Sequence, residues 1–140
     1  MLTASTPDLD LLEAYVDSDP RGRVFPAFPI NRFTGAEHTA VVYFEVQPGD
    51  YLPTHTDSAE EILYIVAGEA EAEVGDQRGR ISKGDLAVIP AMVPHSLLNV
   101  GTETVKVVGF VSDSEIISTF QQPVQPFGVS VMNQGAPAEA

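Results

Sequence analysis

The sequence contains no cysteine and no tryptophan among its 140 residues. Without cysteine the protein forms no disulfide, and it has no thiolate for a zinc finger, an iron–sulfur cluster or a nucleophilic catalytic mechanism. No apolar run approaches the roughly 20 residues that a membrane-spanning helix needs, and the first residues lack the basic and apolar segments of a secretory signal. We therefore expect one cytoplasmic domain that a hydrophobic core stabilises.

Basic residues are scarce as well, since seven Lys and Arg stand against twenty Asp and Glu and give a formal charge of −13. Between Phe33 and Gln77 there is no Lys or Arg at all, although many carboxylates fall in that stretch. Such a chain repels the phosphates of nucleic acids and of anionic membranes, so we expect neither as a partner. We expect most of the carboxylates to lie on solvated faces, in a field that favours a bound cation.

Short runs rich in Val, Ile and Tyr dominate the middle of the chain, and Gly, Pro or Asp separate them about every 8 to 12 residues. This pattern predicts an antiparallel β-sandwich or barrel. The predicted strands are Ala40–Val46, Glu61–Val66, Glu69–Val74, Arg78–Ser82, Leu86–Ile89, His95–Asn99 and Thr104–Val111. In Glu69–Val74 charged and small apolar residues alternate, which predicts one wet face and one face that leaves room inside.

The segment before the strands is predicted to be a helix and an arm. Thr6–Tyr15 has Thr6 as a cap and Pro7 at the first helical position, which favours a short helix. Arg21–Phe33 is rich in Pro and Phe and is predicted to be an arm rather than a regular element. Residues 1–39 are thus expected to precede a barrel core at 40–112.

Residues 113–140 are predicted to form a C-terminal extension that packs on the barrel within the same single domain. We expect a brief helix or turn at Ser112–Phe120, an extended segment at Gln121–Gly128 and a frayed end over the last dozen residues. The two prolines of Gln121–Gly128 are the main reason to expect extended chain there.

Two of the three histidines occur in stretches that predict a metal site. His55 and Asp57 are two residues apart, so on a strand both side chains point to one face, and a short turn brings Glu61 alongside. His95 begins another predicted strand. Two imidazoles with one or two carboxylates suit Fe(II), Mn(II), Ni(II) or Zn(II), and two carboxylates neutralise a divalent charge inside a barrel. We expect the third histidine, His38, at the surface.

These residues fall in two spaced motifs that resemble those of the cupins. The first cupin motif runs Gly, five residues, His, one residue, His, three or four residues, Glu, six residues, Gly. The second runs Gly, five residues, Pro, one residue, Gly, two residues, His, three residues, Asn. This sequence has Gly49, His55, Asp57, Glu61 and Gly68 in the first motif and Gly84, Pro90, Met92, His95 and Asn99 in the second. Asp57 therefore replaces a His, and Met92 replaces a Gly.

The resemblance implies an all-β double-stranded β-helix, or jelly-roll barrel, that holds a divalent transition metal through His55, Glu61 and His95. Glu60 takes the place of Glu61 if the turn shifts by one residue. Asp57 has four open interpretations: a direct ligand, a residue that acts through a water or an imidazole, the mark of a site without metal affinity, or a turn-forming residue. Met92 requires a turn with a negative φ or with strain.

A face of two His and one carboxylate leaves coordination positions open for a substrate oxygen or for O₂. By the resemblance we expect a metal-dependent enzyme that oxygenates, isomerises or cyclises a small organic molecule, with Asp57 as an acid or base where it is not a ligand. The absence of Lys and Arg near the first motif argues against a phosphorylated substrate and favours an uncharged one. A non-catalytic module that binds a metal or small ligand, and a barrel retained for stability alone, are the alternatives.

Small single-barrel cupins commonly pair through sheet edges and N-terminal arms. The Phe- and Pro-rich segment Arg23–Phe33 suits such a role, and pairing would cover sheet edges that are otherwise open to aggregation. The resemblance therefore predicts a homodimer.

Overall fold

The computed structural model describes residues 1–137 and consists almost entirely of β-strands. A single 3₁₀ turn at Thr6–Asp8 precedes the strands. Within the described residues the strands are β1 (Ala14–Val16), β2 (Asp19–Ile30), β3 (Ala40–Val46), β4 (Tyr51–Asp57), β5 (Glu61–Ala67), β6 (Glu69–Val74), β7 (Gln77–Ser82), β8 (Leu86–Ile89), β9 (His95–Asn99), β10 (Val105–Val111), β11 (Ile117–Gln125) and β12 (Val129–Asn133).

The strands are hydrogen-bonded in the order β7-β6-β9-β4-β11-β1-β2-β3-β10-β5-β8, and β12 pairs with β11. Neighbours are antiparallel, apart from a short parallel contact between β2 and β4. β2 belongs to both halves of the barrel, because its first part pairs with β1 and its second part pairs with β3. The chain therefore folds as the predicted all-β jelly-roll barrel.

Buried and exposed side chains alternate along the strands, and the buried ones form the core between the two halves of the barrel. On β3 and β10, the register places Val46 opposite Val105 and Phe44 opposite Val107, and all four side chains are buried. Complete burial of a Val or Phe side chain contributes about 1.5–3 kcal/mol. On β6 the inward residues are Ala70 and Ala72, so this strand fills little of the interior, as predicted.

The predicted strands of the middle region are confirmed. Four have the predicted bounds, and the other three differ by one residue at one end. The wet face of β6 is confirmed too, because its glutamates pair across to β7, where Glu69 meets Arg80 and both Glu71 and Glu73 meet Arg78.

The predicted helix at Thr6–Tyr15 is wrong beyond its first turn. The backbone becomes extended at Leu9, and β1 then pairs with β2 on one side and with β11 on the other. Ala14 and Val16 are buried in the core, so sheet pairing and burial outweigh a local helix preference that is small for so short a segment.

The predicted arm is also wrong, because Asp19–Ile30 is a strand with a neighbour on each side. Pro29 is tolerated because the β2–β3 register shifts between Ala27 and Ile30, where a ladder donor is not needed. Pro26 lies in register opposite Phe44, and its carbonyl accepts a hydrogen bond from the Leu12 backbone N–H.

The C-terminal segment is more regular than predicted. The structure has no helix at Ser112–Phe120 but a loop followed by β11, which continues through most of the predicted extended segment Gln121–Gly128. The end predicted to be frayed contains β12, and its last three residues lie outside the described part of the chain. The division at 39/40 and 112/113 stays a prediction. No helix within residues 1–137 is long and apolar enough to cross a bilayer.

Candidate metal centre

β4 and β9 bring the two motif histidines together. The β4–β9 register sets His55 directly opposite His95, and their ring centroids lie 4.2 Å apart. Asp57 is two residues along β4 and points to the same inner face, as the spacing predicts. All three side chains are buried, with relative exposures of 7% for His55, 4% for His95 and 5% for Asp57.

One oxygen of Asp57 lies between the imidazoles. Its Oδ2 is 3.4 Å from His55 Nε2 and 3.2 Å from His95 Nε2. Among the residues that the structure describes, this is the group of His, Asp and Glu side chains whose ligand atoms all lie within 4.8 Å of one another.

Backbone carbonyls fix the orientation of both rings. His55 Nδ1 lies 2.8 Å from the Pro53 carbonyl oxygen, and His95 Nδ1 lies 3.0 Å from that of Val93. A carbonyl only accepts, so each Nδ1 is the protonated nitrogen and each Nε2 faces Asp57. Metal-binding histidines are commonly held in this way by a partner on the second ring nitrogen.

This arrangement fits a divalent metal. Two neutral imidazoles and a carboxylate present lone pairs to one another, which is repulsive until a cation lies between them. Burial raises the pKa of Asp57, but the adjacent His55 and His95 and the hydrogen bond from Ser118 outweigh the effect of burial and hold the pKa below its usual range. Asp57 is therefore ionised at neutral pH.

Glu61 lies in the wall of the same cavity but outside this group of three. It is the first residue of β5 and is buried, whereas Glu60 is exposed and points away from the cavity. Its carboxylate lies over Gly109 of β10, where a Cβ atom would overlap Glu61 Oε2. Burial, together with the negative charge of Asp57, raises the pKa of Glu61 to about 7.

The two departures from the motif consensus take different forms in the structure. Asp57 takes a central position among the candidate ligands. Met92 has the left-handed φ of 63°, which an L-residue adopts only with strain. Its side chain is largely exposed, and its backbone N–H donates to the Asp57 carbonyl at 2.8 Å. His38 is exposed, as expected.

A sequence model of the family described as the cupin domain matches residues 42–111, half of the chain. The chain belongs to the cupin family. No curated protein is a significant match to the sequence.

Solved structures share the fold of this cupin. Oxalate decarboxylase from Lactobacillus farciminis, in a formate complex, is 22% identical, with a TM-score of 0.69 over 83% of this chain and 34% of that one. The Bacillus subtilis oxalate decarboxylase at pH 4.6 is 20% identical, with a TM-score of 0.62 over 71% of this chain and 28% of that one. The Schizosaccharomyces pombe Cnp3 cupin domain is 18% identical, with a TM-score of 0.64 over 79% of this chain and 73% of that one.

This cupin thus spans about a third or less of the oxalate decarboxylases. At these identities the likeness shows the fold alone. Another structure of the B. subtilis oxalate decarboxylase comes from work on the Mn(II) centres of that enzyme.

Several residues of the site lie outside the family region and were not identified from the sequence. Ser118 on β11 donates to Asp57 Oδ1 at 2.6 Å, and Gln134 Nε2 donates to Ser118 Oγ at 2.7 Å. Phe120 stacks on His55, with ring centroids 4.6 Å apart and planes 20° apart. The only sequence signal was the two-residue spacing of Ser118 and Phe120, which is too short to identify a strand.

The candidate ligands open into a cavity of about 70 Å³. Its walls are mostly apolar, and within residues 1–137 neither Lys nor Arg contributes to them. The larger apolar residues that line it are Phe28, Phe44, Leu52, Leu63, Phe120, Phe127 and Met132. The cavity therefore combines a buried polar cluster with a hydrophobic surround.

Proposed function

We propose that this cupin is a metal-dependent enzyme that acts on an uncharged small organic molecule. The observation that carries the proposal is the buried group of His55, Asp57 and His95, whose three ligand atoms face one another in the wall of a mostly apolar cavity. The metal is a divalent transition ion, Fe, Mn, Ni or Zn, for which two nitrogens and an oxygen are a suitable ligand set. The Mn(II) centres of B. subtilis oxalate decarboxylase, which shares the fold, support the choice of a divalent transition ion.

The protein residues have separate tasks in this proposal. His55 Nε2, His95 Nε2 and Asp57 Oδ2 would hold the ion, and Glu61, the carboxylate ligand that the motif resemblance predicts, would approach from the adjacent wall. A bound divalent metal supplies Lewis-acid or redox chemistry to a substrate oxygen. The apolar walls exclude water and hold the organic part of the substrate. Where Asp57 is not a ligand, it is the acid or base beside the reacting atoms.

The charge of the cavity supports an uncharged substrate. Oxalate is a dianion, and here it would meet the carboxylates of Asp57 and Glu61 without a Lys or Arg from the described residues to offset them. The likeness to oxalate decarboxylases therefore does not lead us to propose oxalate. Small alcohols and phenols match the walls better.

Elemental analysis of protein purified without chelators tests the proposal. We expect about one transition metal per chain in the wild type, loss of that metal in His55→Ala, and full metal in His38→Ala, which alters an exposed histidine. Metal-dependent turnover of a phenol or polyol supports an enzyme. Ligand-induced stabilisation without turnover supports the non-catalytic module, and an unchanged melting temperature in EDTA with no bound metal supports a barrel retained for stability alone.

We propose that the predicted homodimer forms through the outer face of β5, β8 and β10 rather than through an arm. Because this chain has a charge of −13, two copies repel each other unless an apolar surface joins them. The strand register makes a contiguous patch of Ile62, Tyr64, Leu86, Val88 and Phe110, all exposed. Light scattering at micromolar concentration should give a dimer for the wild type and a monomer for Leu86→Glu, and a monomeric wild type refutes the proposal.

A further inference from the structure

We propose that Gln134 determines substrate specificity in this site, because its carbonyl oxygen Oε1 accepts a hydrogen bond from a hydroxyl or N–H group of the bound molecule. The inference rests on the proposed function and narrows its substrate class from uncharged organic molecules to those with a hydrogen-bond donor, such as phenols. Gln134 follows β12 and lies outside the region that the family model matches.

The direction of the Gln134 amide follows from a chain of hydrogen bonds. Ser118 Oγ donates its single hydroxyl proton to Asp57 Oδ1 at 2.6 Å. Ser118 Oγ must then accept from its other neighbour, which is Gln134 at 2.7 Å. Only the amide nitrogen can donate, so Nε2 faces Ser118 and Oε1 faces away from it.

That orientation leaves a buried, unpaired acceptor on a residue that lines the cavity. Within residues 1–137, Gln134 Oε1 is buried and has no hydrogen-bond partner. Gln134 lines the same cavity as the candidate ligands, among apolar neighbours that include Phe28 and Met132. The other buried oxygen without a partner in that range, Oδ1 of Asn133, belongs to a residue that does not line this cavity. A buried acceptor without a partner costs free energy, so a water or a ligand donor is expected to satisfy it.

The chemistry of this acceptor sets the ligand class. An amide oxygen carries a partial negative charge, so it attracts a hydrogen-bond donor and repels an anion. A site built to hydrogen-bond a hydroxyl group discriminates strongly against an analogue that lacks it, because the protein group is then left unpaired. Phenol and toluene have nearly the same shape and differ in this donor, so they are the probes of choice.

The test measures binding of phenol, toluene and benzoate to the purified protein by calorimetry or ligand-observed NMR, with metal content determined on the same samples. We expect the wild type to prefer phenol to toluene by about tenfold or more and to bind benzoate more weakly than phenol. In Gln134→Met, which replaces the amide with an apolar chain of similar length, the preference for phenol should fall by about tenfold.

Two control variants separate recognition from structural effects. Gln121→Met changes an exposed glutamine of β11 outside the cavity and should keep the wild-type preference. Ser118→Ala removes the hydrogen bond to the amide but keeps the amide itself, so it should keep a preference for phenol even where total affinity changes. The ratio of the two affinities is the readout, because a general loss of packing weakens both probes alike.

The inference is overturned if the wild type does not prefer phenol to toluene, or if Gln134→Met keeps the wild-type ratio. The wild-type comparison decides the donor requirement even if Gln134→Met does not fold. Metal content tests the proposed function separately: a metal-loaded protein without a preference for phenol refutes the role of Gln134 and leaves the metal centre in place.

Discussion

β4 and β11 lie side by side and contribute to the same cavity in different ways. The register pairs Ser118 with Asp57 and Phe120 with His55. β4 supplies two of the three candidate ligands, and β11 supplies the groups that contact them, a hydroxyl on the carboxylate and a ring on the imidazole. Each of these candidate ligands and the residue that contacts it are thus direct cross-strand partners.

Glu61 shows what happens to a buried carboxylate without such a partner. It lies over Gly109 of β10, which has no side chain to hold it. Burial raises the pKa of Glu61 to about 7, whereas the hydrogen bonds of Asp57 overcome the same effect of burial and lower its pKa. The pKa values of the two carboxylates differ mainly because His55 and His95 lie directly against Asp57, with a smaller contribution from the hydrogen bond of Ser118.

Removal of a β4 ligand should have the largest effect. Asp57→Asn keeps the size of the side chain but removes its charge, so the bound metal should fall from about one per chain to a trace. Elemental analysis and metal titration measure the loss. Full metal content in Asp57→Asn would show that Asp57 is not a ligand and would move the carboxylate role to Glu61, as the motif consensus implies.

Titration of Glu61 should affect the stability of the metal-free protein. The carboxyl group has a pKa of 4.5 when unperturbed and about 7 in the folded state, so the folded state binds more protons between these values. Stability should therefore decrease as the pH rises from about 4.5 through 7, by a total on the order of 3 kcal/mol. Glu61→Gln should remove that decrease.

Urea unfolding of the metal-stripped protein between about pH 4.5 and 8 measures this effect. Glu60→Gln is the matched control, because it alters the exposed neighbour and should leave the pH dependence as in the wild type. An equal pH dependence in the wild type and Glu61→Gln would show that Glu61 is not the group responsible.

Removal of a β11 positioning residue should have a smaller effect than removal of a β4 ligand. Ser118→Ala deletes the hydrogen bond to Asp57 Oδ1 but leaves all three candidate ligands, and losses of about 10–100-fold in metal affinity are typical of such changes. Competition with a chelator of known affinity measures the difference, with the exposed Ser112→Ala as the control. Should Ser118→Ala lose metal as completely as Asp57→Asn, the distinction between ligand strand and positioning strand would not hold.

The difference between the candidate ligands on β4 and the residues on β11 that contact them explains which parts of the site could be predicted from the sequence. Histidine and carboxylate are rare inside a barrel, so the two motifs with His55, Glu61 and His95 already indicate a metal site, whereas the role of Asp57 was left open. Ser118 and Phe120 are ordinary strand residues. Their roles depend on the β4–β11 register, and a single sequence does not contain that information.

The strands of the fold also differ in how well the sequence predicts them. The seven predicted middle strands have strong alternation and clear turns, which is why their bounds were predicted closely, whereas no bounds were predicted for β4. β1 and β2 were missed because local signals, a cap with Pro7 and a proline-rich stretch, favour other structures, whereas long-range pairing decides the outcome. β12 has only five residues, and its pairing with β11 shifts register between Thr119 and Val124.

The smallest predicted effect concerns the turn that precedes β9. Met92 has a left-handed backbone at a position where the motif has glycine, and a left-handed conformation costs an L-residue about 1–2 kcal/mol. Glycine removes that strain but loses more backbone entropy on folding, so Met92→Gly should stabilise the protein by about 0.5–1 kcal/mol. Urea unfolding measures the gain, and Ala91→Gly, at an exposed neighbour without a positive φ, should not show it. Glycine keeps the backbone N–H that donates to the Asp57 carbonyl, so Met92→Gly should leave the metal affinity unchanged.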